Sequence, residues 1–270
     1  PGSIGAVKPL NEGVIADFDM TADMLHEFIY RSSKRSFFTK TRVVISVPSG
    51  VTEVERRAVE DAVRAAGAQE VELIEEPMAA ALGVGLPVFE ARGSMIVDIG
   101  GGTCDVAVIS LGGIAAMKSI KVAGNALDEA IINYMKKTHN LLIGTITAED
   151  IKLKIGSAME YDGEAVMEVR GRNLTDGLPN AIEVTSAEIR EVLSAPVSEI
   201  ISAICETLEV TLPELAADII DKGIYITGGT SLLRGLPELI TKETKIAVHK
   251  TDMPLEEVAI GASVKLRRAR

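Results

Sequence analysis

Asp98, Gly100, Gly101, Gly102 and Thr103 are the residues of this chain best suited to hold a metal-bound phosphate. They lie in Ser94-Met-Ile-Val-Asp-Ile-Gly-Gly-Gly-Thr-Cys-Asp-Val-Ala-Val-Ile-Ser-Leu-Gly-Gly113, where an apolar run ends in an acid and meets three glycines at once. Glycines let backbone N–H groups approach a ligand closely, and consecutive N–H groups form an anion nest. A carboxylate at the strand end can hold a cation beside that anion, directly or through water. No Lys-Ser or Lys-Thr follows and no helix opens, so this is not a Walker A loop. The next element reads as strand, which also rules out the dinucleotide fingerprint. The alternative is a glycine-rich hairpin that binds nothing.

A second glycine turn, Gly228-Gly229-Thr230-Ser231, follows the apolar run at 223–227. Glycines there let the chain pass close to a flat ligand, and the start of a helix offers N–H groups to an anion. Such turns are common between strands and helices. Beside the first turn, however, it supplies the second of the two ends that a nucleotide needs. Glu76 precedes Pro77 at a helix start. The helix dipole favours a carboxylate there, which is one account of it. The other is that Glu76 orients a water for attack on a terminal phosphate, because phosphoryl transfer asks for placed phosphates, a metal and a positioned water.

The elements that must carry these residues alternate between strand and helix. Strands are expected over 13–18, 42–47, 70–74, 95–99, 106–111, 114–122, 223–227 and 245–249, with a hairpin of 165–169 and 181–185. Gly112-Gly113 is expected to turn the second glycine-hairpin strand into the third. Thr21 and Thr147 are expected to cap helices. Thr52 and Glu55 form a capping box that opens a helix to about 66. Small residues continue as a helix over 78–82, with Pro77 in its first turn. Further helices are expected over 127–137, 186–212 with a break at Pro196, from about 232, and over 254–268.

At 270 residues the chain is one large or two modest domains. It is 47% hydrophobic but 3% aromatic without Trp, so its core is aliphatic, as in an α/β protein. A net charge of −11 argues against a nucleic-acid surface as its main business. Cys104 and Cys205 are far apart in apolar surroundings and fit free thiols in a reducing cytoplasm. No apolar run reaches membrane-spanning length. The chain opens Pro-Gly-Ser without Met, like the middle of a longer protein. Phe37 and Phe38 sit in a basic loop with Arg35, Lys40 and Arg42. Two such rings either insert shallowly into an anionic leaflet or are buried locally.

Val97-Asp-Ile-Gly-Gly-Gly-Thr103, Glu75-Glu-Pro-Met-Ala-Ala-Ala81 and Ile224-Tyr-Ile-Thr-Gly-Gly-Thr-Ser-Leu-Leu-Arg-Gly-Leu236 resemble the actin/Hsp70/sugar-kinase superfamily, and more closely its MreB family of bacterial actins. Pro9-Leu-Asn-Glu-Gly-Val-Ile-Ala-Asp-Phe18 and Thr147-Ala-Glu-Asp-Ile-Lys-Leu-Lys-Ile-Gly156 extend the likeness over nearly the whole chain. The resemblance implies an α/β, actin-like (ribonuclease H-like) two-lobe ATPase fold, with ATP or ADP and Mg²⁺ in the cleft. Lobe I would be incomplete, comprising 1–83 plus 247–270. The core of lobe II would be 84–125 plus 208–246, with 126–207 as its insertion.

By the same resemblance Asp98 holds the metal through water, and Gly100, Gly101, Gly102 and Thr103 hold the β- and γ-phosphates. Glu76 positions the hydrolytic water for slow ATP hydrolysis. Gly228, Gly229, Thr230 and Ser231 flank the adenosine, and Glu149, Asp150, Ile151 and Lys152 contact ribose or base. Family members polymerise with themselves. They lie in the cytoplasm on the inner face of the cell membrane and work with the cell-wall elongation machinery. The family's earlier Asp-x-Gly phosphate hairpin has no counterpart in these residues. Cys104-Asp105, Asn125 and Thr230 also depart from the usual pattern. A non-polymerising ATPase of the superfamily, or a truncated paralogue that binds partners without turnover, remains the alternative.

Overall fold

A computed structural model describes residues 9–11, 14–32 and 40–268. Phe37 and Phe38 lie outside the described residues. The chain divides into two compact units, Pro1–Leu86 with Glu256–Arg270, and Pro87–Leu255.

In the first unit, β1 (Leu10–Asn11) and β2 (Val14–Ile15) pair antiparallel. Helix α1 (Phe18–Ser32) starts earlier than expected. Asp17 takes the capping role, its carboxylate accepting from the Met20 N–H at 3.0 Å, while Thr21 is buried and donates back to the Asp17 carbonyl at 2.6 Å. Residues 16–18, expected as strand, therefore turn and enter the helix. Strand β3 (Arg42–Val47), helix α2 (Glu53–Ala65) and strand β4 (Glu70–Glu75) form a parallel βαβ unit, with Arg42 opposite Glu70. The Thr52–Glu55 capping box is formed at the head of α2.

Helix α3 (Glu76–Val84) follows β4 directly and packs on the C-terminal helix Glu257–Arg268. Ala79, Ala80 and Ala81 are fully buried. A Cβ at Gly83 would run into the backbone of Glu257, and one at Gly261 into the Ala79 carbonyl. The two helices thus meet backbone to backbone, which only glycine allows.

The second unit is built on a five-stranded sheet of order β12-β11-β5-β6-β7. Strands β5 (Ser94–Ile99), β6 (Cys104–Ser110) and β7 (Gly113–Ile120) are the expected antiparallel meander. The turn after β6 uses Leu111 and Gly112, with φ of 52° and 76°, so Gly113 already belongs to β7. Helix α4 (Gly124–His139) leads to β8 (Leu141–Leu142) and α5 (Thr145–Ile155). Gly144, rather than Thr147, stands before the first residue of α5.

Strands β9 (Val166–Asn173) and β10 (Pro179–Thr185) form the hairpin that completes a sheet with β8. Helix α6 (Ser186–Glu209) runs through Pro196 unbroken. Proline costs that helix one N–H bond. Its ring is buried on the same face as Leu193, Val197 and Ile200, where packing offsets the loss. The expected long helix ends at 209, and a separate helix α7 (Pro213–Lys222) begins with proline in its first turn. Strand β11 (Ile224–Thr227), one turn of 3₁₀ helix at Gly229–Leu232, α8 (Leu236–Thr244) and β12 (Val248–Lys250) complete the unit.

Side chains alternate across the sheet. Met95, Val97, Ile99, Cys104, Val106, Ile224 and Ile226 join one buried cluster with residues of α4, α6 and α8. Asp98, Asp105 and Thr227 fall on the opposite face by register.

Candidate functional site

Two neighbouring strands of the second unit end side by side. β11 runs parallel to the central strand β5, with Thr227 opposite Asp98, so the turns at 100–103 and 228–231 leave the same edge of the sheet. Hydrogen bonds tie them together. The Gly100 carbonyl accepts from the Thr230 hydroxyl at 2.7 Å and from the Gly124 N–H at 3.1 Å. The Asn125 N–H donates to the Gly101 carbonyl at 2.8 Å, which brings the N-terminus of α4 onto the same turn.

The glycines here serve different ends. Gly228 has φ of 83°, and a Cβ on it would press on the Ile99 carbonyl and lie 2.6 Å from an Asp98 carboxylate oxygen. A Cβ on Gly124 would sit 2.8 Å from the Thr230 hydroxyl. The fold itself requires those two. Gly100 and Gly101 differ: a Cβ there would make ordinary contacts at 3.5 and 3.6 Å. Gly100 and Gly101 are not among the glycines with a positive φ. The Gly100 N–H is already used by the Thr103 carbonyl at 3.0 Å. What Gly100 and Gly101 provide is bare backbone that the fold does not need, at the place where a ligand's approach would need it.

Asp98 and Asp105 are direct cross-strand partners on one face, 8% and 1% exposed. Burial pushes the neighbouring Cys104 thiol far up, and the two carboxylates push it further, so it stays a neutral packing group. Among the described residues no group of three or more His, Cys, Asp or Glu can hold a metal alone. This donor set fits Mg²⁺, which keeps several waters and binds through one or two carboxylates together with substrate phosphates.

On the other side of the 228–231 turn lies a pocket of about 130 Å³, lined by Lys152, Gly156, Gly229, Thr230, Leu233 and Arg234 among others. It brings Lys152 and the second glycine turn together. Glu149 and Asp150 do not line it. Glu149 is exposed, and Asp150 pairs with Lys154 at 2.6 Å. The Ile151 side chain is fully buried in the core, which corrects its expected role as a ligand contact. The α-helical step turns successive side chains by about 100°, so one of the four goes into the core. Lys152 is largely engaged within the protein. Its ammonium pairs with Asp128 at 2.9 Å and donates to the Gly124 carbonyl at 3.2 Å, with 11% of its side chain exposed.

Gly124, Asp128 and Arg234 were not picked out as site residues from the sequence. The Gly-Asn step directly after the meander was the available signal for the first.

In the first unit Glu76 is the first residue of α3, half-buried, with Pro77 beside it in the opening turn. A larger pocket of about 460 Å³ in that unit is lined mostly by apolar side chains such as Leu25, Phe28, Ile29, Val43 and Leu266. Among its described lining residues the one cation, Arg42, pairs with Glu72 at 3.0 Å.

A family model described as MreB/Mbl protein matches residues 1–270. The cell shape-determining protein MreB of Escherichia coli (strain K12) is 50% identical over 267 residues, which span 98% of this chain and 77% of that protein. The cell shape-determining protein Mbl of Bacillus subtilis (strain 168) is 46% identical over 266 residues, 98% of this chain and 80% of that one. MreB5 of Spiroplasma citri, crystallised with ADP and separately with AMPPNP, superposes with a TM-score of 0.92 at 38% identity, covering 97% of this chain and 79% of its own. The fold is therefore actin-like, and the chain belongs to the MreB/Mbl family.

Proposed function

We propose that this chain is a bacterial actin-like protein that binds ATP and ADP with Mg²⁺, polymerises with itself and helps determine cell shape by organising cell-wall synthesis. Bare glycine backbone at Gly100 and Gly101 carries the nucleotide reading, because the folded chain leaves room there for a side chain. The solved relatives bound to ADP and AMPPNP support it. In this reading the 100–103 turn faces the β- and γ-phosphates. Asp98 receives the hydrated metal, which supplies charge neutralisation at the phosphates. The turn at 228–231 and Lys152 flank the nucleoside, and Glu76 positions the water for a slow hydrolysis.

Membership of the MreB/Mbl family supports filament formation, and the proposal extends to a place on the inner face of the cell membrane. No helix among the described residues is long and apolar enough to cross a membrane. Phe37 and Phe38 are the proposed contacts, because they lie in sequence between Arg35 and Lys40. Titration calorimetry with Mg-ATP tests the core of the proposal. The expected result is saturable binding that Gly101→Ala weakens at least about tenfold, followed by nucleotide-dependent pelleting. Absence of binding by the unaltered chain would overturn it.

A further inference from the structure

The nucleoside-side pocket has two walls that are distant in sequence. One is the end of α5 with the segment after it, and the other is the chain between β11 and α8. Four observations join these walls. Ser157 forms an isolated parallel bridge with Arg234. The Ala158 N–H donates to the Arg234 carbonyl at 2.7 Å. Gly235, with φ of 77°, lets the chain pass Met159 so closely that a Cβ would lie 3.0 Å from the Met159 nitrogen. Finally, the Arg234 guanidinium lies over the Tyr161 ring, 4.1 Å from its centroid.

The first three contacts are made by backbone, and substitution of side chains would leave two of them intact. The fourth is a cation–π contact between two side chains, and Arg234 itself lines the pocket. An arginine plane suits this position better than a lysine, because it can stack on a ring face while keeping its charge.

We infer that Arg234 and Tyr161 form a clasp that fixes the spacing of these two walls and so positions the nucleoside end of the bound nucleotide. Arg234 is a positioning residue here, acting through Tyr161 and the 157–159 segment. The inference rests on the nucleotide reading given above. It assigns the phosphate end to a different part of the site, the 100–103 turn, which the clasp does not touch.

The test uses the full chain with Mg²⁺ and two probes, ATP and the triphosphate of 2-aminopurine riboside, whose emission reports how enclosed the base is. Arg234→Lys keeps the charge and removes the stacking plane. Tyr161→Leu removes the ring, and Tyr161→Phe keeps it. Arg234→Lys and Tyr161→Leu are expected to weaken ATP binding about tenfold and to move the emission of the saturated probe towards that of the free probe. Tyr161→Phe is expected to match the unaltered protein in both. A merely structural loss would lower the melting temperature without changing the emission at saturation. Unchanged affinity and emission in folded Arg234→Lys would overturn the clasp, as would a Tyr161→Phe variant as impaired as Tyr161→Leu. Failure of the unaltered chain to bind ATP would instead overturn the nucleotide reading, and the clasp's role with it.

Discussion

The Thr230 hydroxyl donates to the carbonyl of Gly100 at 2.7 Å, joining two glycine turns that stand 130 residues apart. That carbonyl also accepts from the Gly124 N–H, so Thr230 is one of two struts on the same atom. Thr230→Val keeps the volume and removes the donor. It is expected to lower unfolding free energy by about 1–2 kcal/mol and to weaken ATP binding. Urea denaturation and calorimetry on the same variant would check both.

Gly101 and Gly228 should separate folding from binding. Gly228→Ala places a side chain at φ 83° against the end of β5 and is expected to cost about 2–4 kcal/mol. Gly101→Ala meets nothing closer than 3.6 Å and should leave the melting temperature within about 2 °C while impairing nucleotide binding. A Gly101→Ala variant that binds ATP like the unaltered protein would count against the phosphate assignment.

Lys152 and Asp128 form an ion pair that is 11% and 14% exposed. Lys152→Met removes the cation paired with a mostly buried carboxylate. The expected loss is on the order of 2–3 kcal/mol, less than for a fully buried pair. Adding Asp128→Asn should restore part of it. If the double variant is no more stable than Lys152→Met, the coupling is absent and Lys152 acts elsewhere.

Glu72 sits between Arg42 at 3.0 Å and Lys265 at 3.1 Å in the first unit. Burial alone would raise its carboxyl. Hydrogen bonds and charge from Lys265 and Arg42 outweigh burial and hold it below the usual range. A carboxyl depressed in the folded state adds stability that is complete above its unfolded value of about 4.3. That stability is lost as pH falls through the folded value. The three side chains are about a third exposed, so Glu72→Gln should cost only about 0.5–1 kcal/mol at pH 7. The difference from the unaltered protein should shrink steadily in an acid titration of thermal stability.

The C-terminal helix and α3 offer a packing test. Gly261→Ala forces a methyl into the Ala79 carbonyl, and the helices must separate. Overpacking of this kind costs about 1–3 kcal/mol. Differential scanning calorimetry should show a clear drop in the melting temperature.

Features fixed by neighbours in sequence were legible without coordinates. The Thr52–Glu55 capping box and the three-stranded meander depend on contacts within a few residues, and they appear as expected; the second glycine turn differs, since a 3₁₀ turn at Gly229–Leu232 stands before α8 opens at Leu236. Features decided by distant partners were not. Ile151 and Lys152 are adjacent, yet one enters the core and the other meets Asp128, because α5 packs against α4. Pro196 reads as a helix breaker in sequence, and only its burial on the core face of α6 accounts for the unbroken helix. Helix α7 is masked in the sequence because the apolar pattern of α6 continues through Leu208 and Val210 to Leu212, and Pro213 alone marks its start. The room beside Gly100 and Gly101 is a three-dimensional property that glycine content alone does not reveal.

The place of β11 also bears on how the protein is made. β5, β6 and β7 emerge from the ribosome together, but β5 keeps one edge open until Ile224–Thr227 arrives more than a hundred residues later. Through that interval the nascent sheet carries an unpaired central edge, a template for wrong partners. The insertion of β11 both seals that edge and brings Thr230 to Gly100. Sealing of the sheet and joining of the two glycine turns are therefore coupled, and a chain stalled before residue 224 has neither.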